Sequence, residues 1–330
     1  MKPLLQLAIG VGIVVAATMA IPRSFSTAPE PAGWTILRPP HETSAIALAG
    51  DTVWAGGRDG LFAFDRRTGR LLQAGAPDVA YVKDILVDSR GRLLVAHADG
   101  VSIRAGDVWT AIGPSDGYTW GAAAALAEWP RGTTWIGVRQ GLVRCEADRC
   151  ALVSRADGLA SASVDVLFAD GAEFLWAGSS EPRDAGLSRF DGQVWTRYLA
   201  PSSLAHDSVN ALMRTRAGEF WVATGFGNRG AVSRLGPDGW STWTTADGLA
   251  GPKARSVFED RDGRIWVGSE YDGIAIFDDG RRLAILTPAE GLAGVEVKEM
   301  AQDEDGVYWL ATENGVSRIA TLPAGLDPRS

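Results

Sequence analysis

Seven segments of this 330-residue chain repeat one pattern, a large residue in a strand-like run followed by a glycine, and they predict an all-β fold, a seven-bladed β-propeller of four-stranded antiparallel blades. Three observations lead there. The large residue is Trp54, Leu94, Trp135, Trp176, Trp221, Trp266 and Trp309, at successive spacings of 40, 41, 41, 45, 45 and 43 residues, the size of a four-strand unit. The stretches between are rich in β-branched and aromatic residues punctuated by Gly and Asp, the signature of short strands joined by tight turns. The seventh copy reaches Ile319 without an outer strand, whereas Gly33-Trp34-Thr35-Ile36-Leu37 stands alone ahead of the first. Residues 33–37 are therefore expected to complete the last blade and close the ring, which leaves only short, protected sheet edges.

The chain in order begins with an apolar run from Leu4 to Ile21 after a single early charge, Lys2. Residues 1–21 read as a secretory signal peptide, with an uncleaved membrane anchor as the competing reading. The expected location is periplasmic or secreted, with membrane association only if that segment is kept. Residues 22–32 are polar and Pro-rich, a disordered lead-in. The propeller is expected over 33–321, with a short tail over 322–330.

The sixth copy shows a repeat most plainly. Arg255–Glu259 is the inner strand, Asp260–Gly263 a polar turn, and Trp266 the centre of the second strand. The third strand runs from Gly273 to Phe277. An outer strand is often marked by Trp-Thr, as at Trp109-Thr110, Trp195-Thr196 and Trp243-Thr244, and Trp34-Thr35 matches them. Nine residues before the large position sits an apolar residue: Ile85, Leu126, Leu167, Leu212, Val257 or Met300. In the first copy Ile46 lies eight before. A tryptophan recurring at one place in every repeat is expected to fill the gap between blades rather than to face a ligand. Trp120 falls between repeats and is the better candidate for a ligand-facing aromatic, with core or rim packing as the competing reading.

The run Thr245-Ala-Asp-Gly-Leu249, then Val257-Phe-Glu-Asp260, Asp262-Gly263 and Ile265-Trp-Val-Gly-Ser269 resembles the two-component regulator propeller repeat. The pattern recurs at Asp157-Gly158-Leu159 with Trp176-Ala-Gly178, and at Glu290-Gly291-Leu292 with Trp309-Leu-Ala-Thr312. The resemblance implies an extracytoplasmic, ligand-binding or sensor-like module of the kind often joined to a membrane-anchored histidine kinase, with glycans as frequent cues. Only about ten residues follow the seventh repeat, so this polypeptide is expected to lack a kinase of its own.

Candidate sites follow from the geometry of such a ring. The loop between second and third strands is lengthened in copies four to six, where it carries Glu181, Arg183, Asp184, Phe226, Asn228, Arg229, Tyr271 and Asp272. Loops on a rigid scaffold are where binding concentrates. These are expected to form one concave patch, or else to be ordinary solvated insertions. Eleven residues before the large position stand Lys83, Ala124, Asp165, Asn210, Arg255 and Lys298, with Ser44 in the first copy. Most are polar in an otherwise apolar strand, and they are expected to line a central funnel.

No catalytic constellation stands out. His41, His97 and His206 fall at unlike repeat positions and do not suggest a metal triad, so no metal and no cofactor are expected. Seven-bladed lyases of the virginiamycin B type share the general architecture with a His/Glu metal site, but no comparable His-x-His or Glu-x-His pair occurs here. Glu259-Asp260 and Asp303-Asp305 read as turn-formers. Cys145 and Cys150 flank a four-residue hairpin loop, where a disulfide, two free thiols or a metal pair are the alternatives. The formal charge of −8 argues against a nucleic-acid partner. The expected function is non-catalytic binding of a small molecule or glycan, or of a periplasmic or membrane protein. A glycan-acting or antibiotic-type lyase or hydrolase and a docking scaffold are the alternatives.

Overall fold

The computed structural model describes residues 30–114, 118–146, 149–323 and 325–326. The expected signal peptide, and the lead-in up to residue 29, lie outside the described residues. The strands form seven four-stranded antiparallel sheets. Blades 1 to 6 are built from strands within residues 43–72, 84–112, 123–153, 166–198, 209–243 and 254–286. Blade 7 takes three strands from 297–319 and its outer strand from Trp34–Leu37.

The closure is a direct ladder. Trp34 stands opposite Ile319, Thr35 opposite Arg318, Ile36 opposite Ser317 and Leu37 opposite Val316. The Trp34 indole N–H donates to the Thr321 carbonyl at 2.9 Å. Residues 34–37 and 315–319 therefore share one sheet.

The repeated tryptophans are the spacers between sheets. Each of the six is at most 2% exposed, and Leu94 in the same place is 1% exposed. Trp176 stacks on Phe220 of the next blade at 4.2 Å between ring centres, and Trp266 on Tyr308 at 4.6 Å. Burying an indole strands its N–H, so the sequence supplies an acceptor. Asp170, Asp260 and Asp303, each six residues ahead of its tryptophan, take that hydrogen at 3.0–3.1 Å.

The face that carries the turns between first and second strands is interlocked. A side chain seven residues before the large position accepts a backbone N–H from the preceding blade. Glu128 takes that of Ser89 at 2.7 Å, Glu259 that of Arg216 at 2.8 Å and Gln302 that of Arg261 at 2.9 Å. At the closure, buried Arg66 of blade 1 reaches Asp305 at 3.0 Å and Glu304 at 2.5 Å in blade 7.

Candidate functional site: the mouth of the central channel

The opposite face opens on the channel, and the inner strands explain its polarity. In blades 1, 3, 5, 6 and 7 the ladder between first and second strands slips by one residue. The residue skipped is Ser44, Ala124, Asn210, Arg255 or Lys298. A β-bulge leaves its extra residue unpaired and re-aims the side chain. The polar position read from the repeat is therefore the bulge, which turns the side chain out of the sheet. Lys83 and Asp165 sit one residue before the ladder of blades 2 and 4 begins.

Together these residues line one cavity of about 580 Å³. Lys83, Asp165, Asn210, Arg255 and Lys298 are the set expected there as a funnel. Two carboxyl groups in the same wall were not anticipated: Asp84 and Glu299. Asp84 accepts the backbone N–H of Leu126 in blade 3 at 2.7 Å, and Glu299 that of Ile46 in blade 1 at 2.8 Å. Each thus bridges to the blade that follows. Burial raises Asp84 to about 6; burial, reinforced by the Asp84 charge, raises Glu299 to about 8. The available signal was the dipeptide itself, since Lys83-Asp84 and Lys298-Glu299 occupy identical repeat positions.

A chain of ion pairs runs round the rim from blade 1 through blade 7 to blade 6. Lys298 bonds Glu42 at 2.9 Å and lies 3.5 Å from Glu296. Arg255 meets Glu296 at 3.0 Å and Glu270 at 3.8 Å, and Lys253 closes on Glu270. The Lys298 bond holds the Glu42 carboxyl below its ordinary range. Burial works to raise Glu270, but the bonds from Lys253 and Tyr271 and the charges of Lys253 and Arg255 outweigh it, and its carboxyl too is lowered.

Two aromatics stand over this chain. Phe226 and Tyr271, in the lengthened loops of blades 5 and 6, are 47% and 53% exposed. The Lys253 ammonium lies 5.9 Å from the Phe226 ring centre, and the Tyr271 hydroxyl donates to Glu270 at 2.8 Å. Asn228 and Arg229 are exposed at the tip of the same blade 5 hairpin. Asp272 instead shapes its own loop. Its Oδ2 accepts the Ser269 hydroxyl at 3.0 Å and lies against Gly251, where a Cβ would come within 1.8 Å of it.

The blade 4 loop serves a different stretch of the rim. Glu181 and Asp184 line a hollow of about 350 Å³ that shares Asp165 and Ser180 with the channel. Asp184 is held by Arg155 at 2.8 Å and by the N–H of Ala162 at 3.0 Å, while Arg183 is exposed. The blade 4 loop thus borders its own hollow, while those of blades 5 and 6 stand over the ion-pair chain.

Trp120 requires a correction. It is 4% exposed and packs with Leu94, Ala123 and Ile136 at the boundary of blades 2 and 3, with Tyr118 beside it at 5.7 Å. Its place between repeats reflects a packing need and not an open face.

The histidines are dispersed. His41 is exposed and bonded to Asp59 at 3.0 Å. His97 is buried beside the Ser102 hydroxyl at 2.9 Å, and burial lowers it. His206 is lowered by burial and by Arg229. Among the described residues no group of three or more His, Cys, Asp or Glu could hold a metal ion. Cys145 and Cys150 face each other across the blade 3 hairpin and form a disulfide.

Residues 248–271 match the sequence family described as Two component regulator propeller. The chain carries a two component regulator propeller repeat. That repeat spans the entry to blade 6, from Gly248 through Trp266 to Tyr271. None of the curated proteins matches the sequence.

Among solved structures, the chain is similar to the extracellular domain of BT3049 from B. thetaiotaomicron, a protein assigned to the hybrid two component systems. The identity is 16% and the TM-score 0.74, over 88% of this chain and 41% of that one. This chain thus spans under half the length of that relative. It is also similar to a streptogramin B lyase, at 15% identity and TM-score 0.66, over 88% of this chain and 99% of that one. A catalytically inactive virginiamycin B lyase from Staphylococcus aureus with quinupristin matches at 14% identity and TM-score 0.65, over 88% and 98%. At these identities the likeness is one of fold.

Proposed function

We propose that this propeller is an extracytoplasmic, non-catalytic ligand-binding module that takes a small polar ligand, such as a sugar, at the mouth of its channel. One observation carries the reading. Five bulges turn residues out of the ladders, most of them polar, into a cavity of about 580 Å³, and exposed Phe226 and Tyr271 stand over the ion pairs that continue from its wall through Arg255. Concave sites with a few convergent polar groups are where small ligands bind. The ion pairs that tie Glu42, Lys298, Glu296, Arg255, Glu270 and Lys253 together hold those groups in place before a ligand arrives, which lowers the ordering cost of binding. The disulfide and the apolar N-terminal segment support the extracytoplasmic location.

The test is calorimetry and thermal shift with a panel of mono- and disaccharides and organic acids, in parallel with Ser44→Trp, which would fill the channel. Saturable stabilisation in the wild type that disappears in the variant supports the reading. A wild type that no compound stabilises, or a shift retained by Ser44→Trp, refutes it.

A second reading, hydrolysis or elimination on a glycan, has its own observation in Asp84 and Glu299. Two carboxyls in one cavity with unequal proton affinities are the arrangement that acid–base catalysis uses. Chromatography of the same wells decides between them, because turnover yields new products and binding yields none.

A further inference from the structure

The channel-mouth reading leaves the class of ligand open, and one stretch of the rim narrows it. Most cations round the mouth are matched: Lys298, Arg255 and Lys253 each hold an acidic partner. Over blades 1 and 2 the balance changes. Lys83 lines the channel and is exposed, and Arg58 is exposed in the adjoining loop of blade 1. Among the described residues neither makes an ion pair. Both act on the Glu42 carboxylate, which Lys298 already bonds. Lys83 and Arg58 thus stand at this part of the mouth without an acidic side chain in ion-pair contact, although Glu42 and Asp59 lie near enough to feel their charge.

The same place carries a strained backbone. Tyr81 has φ of +55° and is 50% exposed. Among the described residues the only other non-glycine with positive φ is Asp279, a residue type that tolerates the left-handed region. A bulky side chain there is a true outlier, and one half in solvent recovers little by burial. The strained turn is fastened to Arg58, whose carbonyl accepts the Tyr81 N–H at 3.2 Å. Strain of this kind clusters at ligand clamps. Between Lys83 and Lys298, blade 1 contributes Glu42 and Ser44 to the wall, and the Glu42 carboxylate is turned to Lys298.

We propose that the rim over blades 1 and 2 is an anion subsite, in which Lys83 and Arg58 receive a carboxylate or phosphate group of the ligand and Tyr81 covers it. This rests on the reading of the channel mouth as a ligand site, and names the charge that the ligand brings. A charged hydrogen bond to a guanidinium or ammonium is strong enough that losing either one weakens binding by about tenfold or more.

The experiment titrates the protein with galacturonate, citrate, inorganic phosphate and neutral galactose by calorimetry. Lys83→Gln, Arg58→Gln and Tyr81→Gly are compared with a control, Arg67→Gln, an exposed arginine in the turn between the third and fourth strands of blade 1 and outside the channel wall. The expected result is saturable, salt-sensitive binding of an anion, weakened by about tenfold or more in Lys83→Gln and Arg58→Gln and unchanged in Arg67→Gln. Tyr81→Gly is expected to melt at or above the wild-type temperature while binding more weakly, because glycine relieves the strain and removes the ring. A carboxylate preference over phosphate, or the reverse, identifies the group. If galactose binds as well as galacturonate and Lys83→Gln binds like the wild type, the anion subsite is wrong while the channel reading stands. If neither neutral nor anionic compounds bind, both are wrong.

Discussion

The Tyr308 hydroxyl of blade 7 donates to Oδ2 of Asp260 in blade 6 at 3.0 Å. That oxygen also receives the Trp266 indole at 3.0 Å, and Oδ1 takes the backbone N–H groups of Asp262 and Arg264. One buried carboxylate thus organises its own turn, orients the spacer indole and ties two blades together. Burial first, and then the Asp260 charge, holds the Tyr308 hydroxyl well above the ordinary range. Asp260→Ala strands several buried donors and is expected to cost about 3–5 kcal/mol, as for a broken buried polar network. Tyr308→Phe leaves Asp260 with its other donors and is expected to cost about 1–2 kcal/mol. Urea unfolding of the two variants measures both; an alanine variant within about 1 kcal/mol of wild type would remove Asp260 from this role.

The channel carboxyls make stability depend on pH. Burial holds the Asp84 and Glu299 carboxyls well above their ordinary ranges in the folded state, and the Asp84 charge raises Glu299 further. A carboxyl raised in this way binds its proton more tightly folded than unfolded. Its contribution is then greatest in acid and is lost as pH rises from the unfolded value near 4 towards the folded one. The melting temperature is expected to fall between pH 5 and pH 8. Glu299→Gln keeps an acceptor for Ile46 N–H and is expected to flatten that fall. A wild-type melting temperature that rises across this interval would contradict the assignment.

Ring closure should be the weakest point of the architecture. Removing residues up to Leu37 deletes the outer strand of blade 7 together with Trp34, which is 5% exposed, and leaves a long open edge. The truncated protein is expected to lose cooperative unfolding or to associate. Light scattering and urea titration report either outcome, and a monomer with an unchanged unfolding midpoint would show that closure is dispensable.

Two aromatics five residues apart in sequence separate stability from binding. Trp266 is fully buried, and Trp266→Ala is expected to cost about 3–5 kcal/mol. Tyr271 is 53% exposed, and Tyr271→Ala is expected to stay within about 0.5 kcal/mol of wild type while lowering affinity for any ligand at the mouth. Unchanged melting in Trp266→Ala would make that ring a ligand group after all.

The funnel set and the misplaced Trp120 show what could be read in advance. Asn210, Arg255 and Lys298 were legible because the repeat aligns them, even though the bulge that aims them cannot be seen without the second strand. Trp120 has no aligned counterparts, so nothing in the sequence distinguished a rim aromatic from one buried between blades 2 and 3. Asp84 and Glu299 escaped notice because most other copies carry Ala or Val at that position, and an isolated acid looks like any solvated charge.

From the sequence alone came the blade count, the strand order and the closing role of residues 33–37, because a side-chain period of two within a period near 43 leaves few ways to bury seven large residues. Only the folded ring decided which distant residues meet. Glu299 reaches Ile46 and Arg66 reaches Glu304 because closure sets blade 7 against blade 1, and contacts made by bending a chain through a full circle leave no local pattern to read.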